Sequence, residues 1–465
     1  MGLYLYNSLT KRKDKFQPLI EKKVGMYTCG PTVYNFSHIG NFRTFMFEDL
    51  LKRWLLHLGY KVNHVMNITD VDDKTIKKSI EEKISLQEIT NKYSSEFMSD
   101  LNWLEILPAN HFPRATEYIS EMISMIKKLL KKDMAYIDID GSIYFKISSF
   151  QNYGYLVNVP TLGSDEGASN ILDDEYSSEF ARDFALWKGW KKSDGGIYWD
   201  SPWGKGRPGW HIECSAMSTK LLGNHFDIHC GGVDNIFPHH ENEIAQSIGA
   251  NGNKFVNYWL HSEHLMVDGG KMSKKKKNFL TVNELKALGF SAQSIRYQLL
   301  AGHYRNKISF SINKKHESDK IIERISNFYY ELIDKGANKM SGKQLPKAYQ
   351  EFKKHLNNDL DTPKALAVFF DWMKLERKIN QNDQTSASRL KCAWNFLIIF
   401  DSIFRFVKHN NMEIPIDVNN ILSERKKARQ RQDWEYSDIL RQRLLNFGYL
   451  VEDTKDGQKL KKYKK

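Results

Sequence analysis

Residues 211–243 concentrate side chains that bind borderline metal ions. The window holds His211, His225, His229, His239 and His240, five of the 15 histidines, and Cys214 and Cys230, two of the four cysteines. Zinc takes four ligands from thiolate, imidazole and carboxylate, arranged tetrahedrally. His239 and Glu243 stand four positions apart, so on a helix they share a face and can reach one ion. Cys214 belongs to a different element, and Cys29 follows a strand-like run from Val24 to Thr28. There is no local Cys-x-x-Cys pair, which argues against a zinc finger. Ligands this dispersed fit a site built into an enzyme fold. Spacing alone leaves a second reading open, in which the cysteines are small buried hydrophobes and the histidines are hydrogen-bonded side chains. Cys392, among helical apolar residues, reads as core.

Two further segments could handle phosphate. Ser37-His38-Ile39-Gly40-Asn41 opens a helical pattern, and a helix N-terminus offers free N–H groups and partial positive charge. Gly40 removes a side chain where a ligand could approach, and His38 and Asn41 can both face it. The plainer alternative is a histidine that caps the helix. Gly269-Gly270-Lys271-Met272-Ser273-Lys274-Lys275-Lys276-Lys277 joins two glycines to five lysines. Such a loop can close over a triphosphate and neutralise charge as pyrophosphate departs. A solvated lysine run is the alternative, but Met272 and Ser273 interrupt it.

These residues need a scaffold. Val24–Thr28 reads as a buried strand. Phe42, Phe45, Met46, Leu50, Trp54, Leu55 and Leu58 form one helical face that ends at Gly59. A strand from Val62 to Ile68 leads into the acidic loop 69–73. This strand–helix–strand unit builds doubly wound parallel sheets, whose ligands gather at the carboxyl ends of strands. Ile119, Met122, Ile123, Ile126, Leu129 and Leu130 mark another helix, and Asp140-Gly141 a hairpin turn. The expected fold is α/β: a Rossmann-like catalytic domain with an inserted subdomain, then an all-α half from about 282 and a small basic C-terminal module.

With 465 residues, 41% hydrophobic and 13% aromatic, the chain can build sizeable cores and is not wholly disordered. No apolar run is long enough to cross a bilayer, so no membrane partner is expected. The start shows no signal-peptide core, and Tyr6 stands where a myristoylation signal needs Ser or Thr. With only four cysteines, a reducing, cytoplasmic compartment is the expectation. The net charge of +13 fits a polyanionic partner or a solvated lysine-rich surface.

Taken together, the chain resembles the cysteinyl-tRNA synthetase family of class I aminoacyl-tRNA synthetases. His38-Ile39-Gly40-Asn41 matches the HIGH signature at three of four positions, and Lys271-Met272-Ser273-Lys274-Lys275 matches KMSKS at four of five. More specific are Thr28-Cys29-Gly30-Pro31-Thr32-Val33-Tyr34, the run from Ser201 to Met217, and Phe237-Pro238-His239-His240-Glu241-Asn242-Glu243. The likeness continues through Ser294-Ile295-Arg296-Tyr297 and Asp361-Thr362-Pro363 to Leu450-Val451-Glu452-Asp453, covering essentially the whole chain.

The resemblance implies that L-cysteine is activated with ATP and passed to the 3′ end of tRNA(Cys). It implies one zinc per chain, held by Cys29, Cys214, His239 and Glu243 and selecting the substrate thiolate, with Mg²⁺ accompanying ATP. His38, Gly40 and Asn41 would meet the nucleotide, with His38 and Asn41 stabilising its α-phosphate region, and Lys271 and Lys274 would grip the triphosphate. Thr69, Trp210 and Asp234 would line the amino-acid pocket. Trp434 and Asp453 are candidate anticodon contacts. The expected spans are 1–118 and 201–265 for the catalytic domain and 119–200 for the inserted acceptor-end subdomain. The KMSKS-type region would cover 266–320, a helical bundle 321–408 and the anticodon module 409–465, in a monomer. Asn41 and Lys275 depart from the family motifs, but neither is a proposed metal ligand. Three rival readings remain: a ligase joining activated cysteine to a small amine such as a sugar, which should lack the C-terminal module; a zinc hydrolase with Glu241 as base; and a non-catalytic RNA-binding relative, supported by Asn41.

Overall fold

The computed structural model describes residues 2–157, 183–268, 270–271, 279–380, 385–409, 416–447, 449–454 and 457–462. The chain divides into two compact units, Met1–Lys408 and His409–Lys465.

The first unit is built on a four-stranded parallel sheet. β1 (Lys23–Thr28), α1 (Ile39–His57) and β2 (Lys61–Met66) form the expected first crossover. α2 (Ile119–Lys131) and α3 (Trp210–Leu222) follow, then β3 (Phe226–Gly232), α4 (Glu241–Asn251) and β4 (Val256–Ser262). Strand order is β4-β3-β1-β2, with every pair parallel. Alternation along the strands divides the core in two. Met26, Met66, Ile228 and Leu260 face α1, and Tyr27, Val65 and Trp259 face α2, α3 and α4. Apolar side chains on both sheet faces explain why helices cover both. α1 ends beside Gly59, whose φ of +86° suits a residue without a side chain.

A five-stranded antiparallel sheet is inserted between α2 and α3. Its order is Ala135–Ile137, Ile143–Phe145, Phe184–Gly189, Gly204–Pro208, Trp199–Ser201. Asp140-Gly141 makes the first turn, as its composition predicts. The sheet continues beyond residue 200 to Pro208, because the second hairpin pairs back onto Phe184–Gly189. The later part of the unit is mainly helical: Lys315–Asp334, Lys347–Asn357, Thr362–Asn380 and Ala387–Phe404, around Phe328, Phe352, Phe369, Phe396 and Phe400. Cys392, expected in the core, is only half-buried on the last of these helices. No helix among the described residues is long and apolar enough to cross a membrane.

The second unit has helices Ile416–Gln430 and Trp434–Asn446 and an antiparallel hairpin, Tyr449–Thr454 with Gly457–Lys462. Val418, Ile421, Leu440, Leu444, Tyr449 and Val451 form its own core. The hairpin is not evident from sequence, because its lysines read as a solvated tail.

Candidate active site

The carboxyl ends of β1, β2 and β3 gather the candidate residues. Cys29 directly follows β1, and its N–H donates to the Cys230 carbonyl of β3 at 3.4 Å. Gly30 must be glycine here: a Cβ would lie 1.7 Å from the Asn67 carbonyl oxygen. Cys214 lies on α3. His239 and Glu243 lie one helical turn apart, with Glu243 in the first turn of α4. One ligand atom from each of Cys29, Cys214, His239 and Glu243 lies within 4.8 Å of the others, and three of these residues are fully buried. The structure therefore brings together the quartet read from the sequence.

The electrostatics of the quartet are those of a cation site. Cys29 Sγ lies 3.4 Å from His240 Nε2; the neighbouring Cys214 and burial hold Cys29 well above its ordinary pKa, and Cys214, facing Cys29 and His239, is pushed down to about 6. Burial opposes charging His239, but Cys214 and Glu243 outweigh it and raise its pKa. Glu243 Oε1 is buried without a hydrogen-bond donor, although His239 Nε2 is 3.2 Å away. An orphaned carboxylate oxygen beside two sulfurs and an imidazole fits a tetrahedral metal, and this cluster could bind one.

The sequence places His211, His229 and His240 in the cluster without giving them a role, and does not point to His261. His211 Nδ1 lies 2.8 Å from His239 Nδ1 and orients that ring. His229 Nε2 is 3.0 Å from Glu243 Oε2. His240 Nδ1 meets His261 Nε2 at 2.8 Å, and His261 Nδ1 meets the Ser8 hydroxyl at 2.7 Å. Burial keeps His211 and His240 far below their ordinary pKa and takes His261 to about 3, so all three remain neutral at pH 7. Cys29, His229, His240 and Glu243 form a second compact group. Only one sulfur is present there, and the Nε2 atoms of His229 and His240 meet Glu243 at 3.0 Å and Cys29 at 3.4 Å within the group itself. The period-two placement of His229 on β3 was the available clue.

Trp210, half-exposed, stacks on His239 at 4.4 Å between centroids. The Thr69 hydroxyl donates to Glu213 Oε2 at 3.1 Å and accepts from Asn67 Nδ2 at 3.1 Å. Asp234 is exposed after β3, and its charge acts on both His38 and His239.

His38 is the N-cap of α1. Its Nδ1 accepts from the Asn41 N–H at 3.2 Å, and Asn41 Oδ1 accepts from the His38 N–H at 3.0 Å. This reciprocal cap places the His38 proton on Nε2, and burial lowers the ring's pKa, so it donates as a neutral imidazole. Gly40 occupies the helix's second position. Ile39 N–H donates to the Leu280 carbonyl at 2.8 Å, and the His38 ring packs edge-on against Phe279 at 4.8 Å. The chain just after the lysine run is thus anchored beside the start of α1. Lys271 lies on a short strand, Gly270–Lys271, paired with Met266 rather than in a free loop. Lys274 lies outside the described residues.

Glu241, the possible base of a hydrolase, is committed elsewhere: its carboxylate accepts the N–H groups of Gly154 at 2.9 Å and Leu156 at 2.8 Å. In the second unit, Trp434 is exposed with the Arg429 guanidinium 5.2 Å from its ring centroid. Asp453 is gripped by Arg425 at 2.8 and 2.9 Å.

Residues 15–320 match the tRNA synthetases class I (C) catalytic domain, residues 351–408 the DALR domain, and residues 411–460 the cysteinyl-tRNA ligase anticodon binding domain. Solved structures give the same fold. A Mycobacterium tuberculosis methionyl-tRNA synthetase with methionyl-adenylate superposes with a TM-score of 0.58 at 14% identity, covering 83% of this chain and 90% of that one. A leucyl enzyme–tRNA ternary complex from Agrobacterium radiobacter gives a TM-score of 0.62 at 11% identity, covering 83% and 84%.

The chain is thus a class I aminoacyl-tRNA synthetase. It is 46% identical to the cysteine–tRNA ligase of Brachyspira hyodysenteriae over 99% of both chains, and 46% identical to that of Chlamydia abortus over 99% and 98%. It belongs to the cysteinyl-tRNA synthetase family. The match at 411–460 covers the module that an amine-joining relative should lack.

Proposed function

We propose that this chain ligates L-cysteine to the 3′ end of tRNA(Cys) in two steps at one site. ATP and cysteine give cysteinyl-adenylate and pyrophosphate, and the acyl group then passes to the tRNA. The observation that carries this reading is the convergence of half-buried Cys29 with buried Cys214, His239 and Glu243 in a family-matched catalytic domain. These four residues would hold zinc, which would supply a soft cationic position suited to a thiolate and not to a serine hydroxyl. Trp210, Thr69 and Asp234 enclose the rest of the amino acid. His38 Nε2–H and the free N–H groups of α1 stabilise charge at the α-phosphate, with the Asn41 amide beside them. Lys271 and Lys274 neutralise the departing pyrophosphate, and Mg²⁺ accompanies ATP.

The test is cysteine-dependent ATP–pyrophosphate exchange, with serine as control, before and after chelator treatment. Exchange with cysteine should exceed that with serine by about 10⁴-fold in kcat/KM, collapse on metal removal and return on adding zinc. Equal use of serine, or indifference to the chelator, would overturn the reading. Absence of exchange in the zinc-loaded protein would support the non-catalytic alternative.

A further inference from the structure

The alternation of roles between residues 239 and 243 assigns work to the residues that do not reach the metal quartet. Glu241 and Asn242 point away from it and are buried at 0% and 1% exposure. What they meet is a turn of the inserted subdomain, residues 150–157. The N–H groups of Gly154 and Leu156 donate to the two Glu241 oxygens, and those of Tyr155 and Val157 also act on the carboxylate. Successive backbone donors converging on one anion form a nest, here filled by a side chain of the protein itself. Gly154 permits the turn with a φ of +89°.

Three other contacts fix the same turn. The Tyr153 hydroxyl donates to Asn242 Oδ1. Lys11 Nζ donates to the Leu156 carbonyl, and Leu156 is fully buried. The Tyr153 ring packs on Phe184 and Phe237 at 6.5 Å each, Phe184 lies edge-on to His211 at 5.7 Å, and His211 orients His239. The turn therefore reaches the quartet by two routes: along the helix through Glu241, and through rings to the back of His239.

We propose that Glu241, gripped by the nest at 154–157, is a positioning residue for metal binding and thereby for cysteine selection. Its carboxylate fixes the azimuth of the helical turn carrying His239 and Glu243. Partners that orient ligands commonly change metal affinity by about tenfold to a hundredfold when lost. The inference rests on the zinc reading of the quartet.

The test uses the full chain and zinc, with retention read by competition against a chromophoric chelator. Glu241→Gln keeps the size but turns an amide NH₂ toward the N–H donors, and Gly154→Ala strains the nest from the opposite side. Both should weaken zinc retention by about tenfold or more, and raise the KM for cysteine but not for ATP in pyrophosphate exchange. Tyr153→Phe, which loses only one hydroxyl, should produce a smaller change in the same direction and decides the matter if the other variants do not fold. Wild-type zinc retention in all three variants would overturn the proposal, as would equal rises in both KM values. Failure of the wild-type protein to hold zinc would instead remove the underlying metal reading.

Discussion

Asn41 carries two functions in one amide. Its oxygen closes the cap on His38, while its NH₂ remains at the exposed start of α1, where the nucleotide phosphates are proposed to bind. Asn41→Ala removes both and should cost about 1 kcal/mol of helix-cap stability and lower the exchange rate. An imidazole retains an acceptor nitrogen and a donor, so Asn41→His should maintain or raise the exchange rate. A severe loss in Asn41→His would show that the amide itself is required. Residue type and position point to the Cys29, Cys214, His239 and Glu243 grouping as one of two readings of the sequence, with Cys29 at a strand end and His239 and Glu243 on one helical face, and the structure brings the four together. The sequence does not give the roles of His211 and His229 or point to His261, because their partners come from other elements and only the assembled sheet brings the rings together. The His38–Asn41 cap was visible only as the plainer alternative for His38, and the structure makes capping and ligand binding compatible by leaving Nε2–H free.

α1 shows why one-dimensional pattern underestimates burial. Its apolar stripe predicts one buried face, but Arg43, Glu48, Asp49, Lys52 and Arg53 are buried too. The sheet covers one side and the later helices another, so the polar face becomes an internal junction. Asp49 accepts from Arg53 at 2.9 Å, Arg296 at 2.7 Å and the Leu107 N–H at 2.9 Å. Burial opposes its charge, but Arg296 and Arg53 prevail and hold its pKa below the ordinary carboxylate value. The sign follows: this contribution is complete above pH ~4, where the unfolded carboxylate is ionised, and is lost as pH falls through the lowered folded pKa. Asp49→Asn should cost about 3–5 kcal/mol at pH 7 by leaving two buried guanidiniums underpaired. In denaturant melts the deficit of Asp49→Asn should shrink as pH falls below ~4; a deficit independent of pH there would assign the loss to packing instead. Crossovers such as β1–α1–β2 were legible because apolar period and turn residues agree. The Arg12–Lys15 strand was not, since its pairing with Tyr4–Asn7 needs no apolar alternation.

At the scale of the whole molecule, the cores of the two units are separate. Among the described residues, the buried clusters of the first unit end at Val407, and the last unit has a core of its own. A tRNA ligase must grip a long polyanion near its 3′ end and near its anticodon. Each grip raises the effective concentration of the RNA at the other, so losing one can cost about 10²–10⁴-fold in affinity without touching the chemistry. Ending the chain after Lys408 removes the span that matches the anticodon binding domain but leaves every residue proposed to bind cysteine, zinc or ATP. Cysteine-dependent pyrophosphate exchange should therefore stay within about twofold of the full chain, because every residue proposed to act on cysteine and ATP lies in the first unit, which has its own core. Charging of tRNA(Cys) should fall by at least about a hundredfold in kcat/KM, carried mainly by KM. Within the terminal unit, Trp434→Ala should reproduce part of that rise, since an exposed indole is a stacking platform for unpaired bases. Undiminished charging by the truncated chain would mean that the first unit alone selects its RNA, and the terminal helices and hairpin would need another explanation.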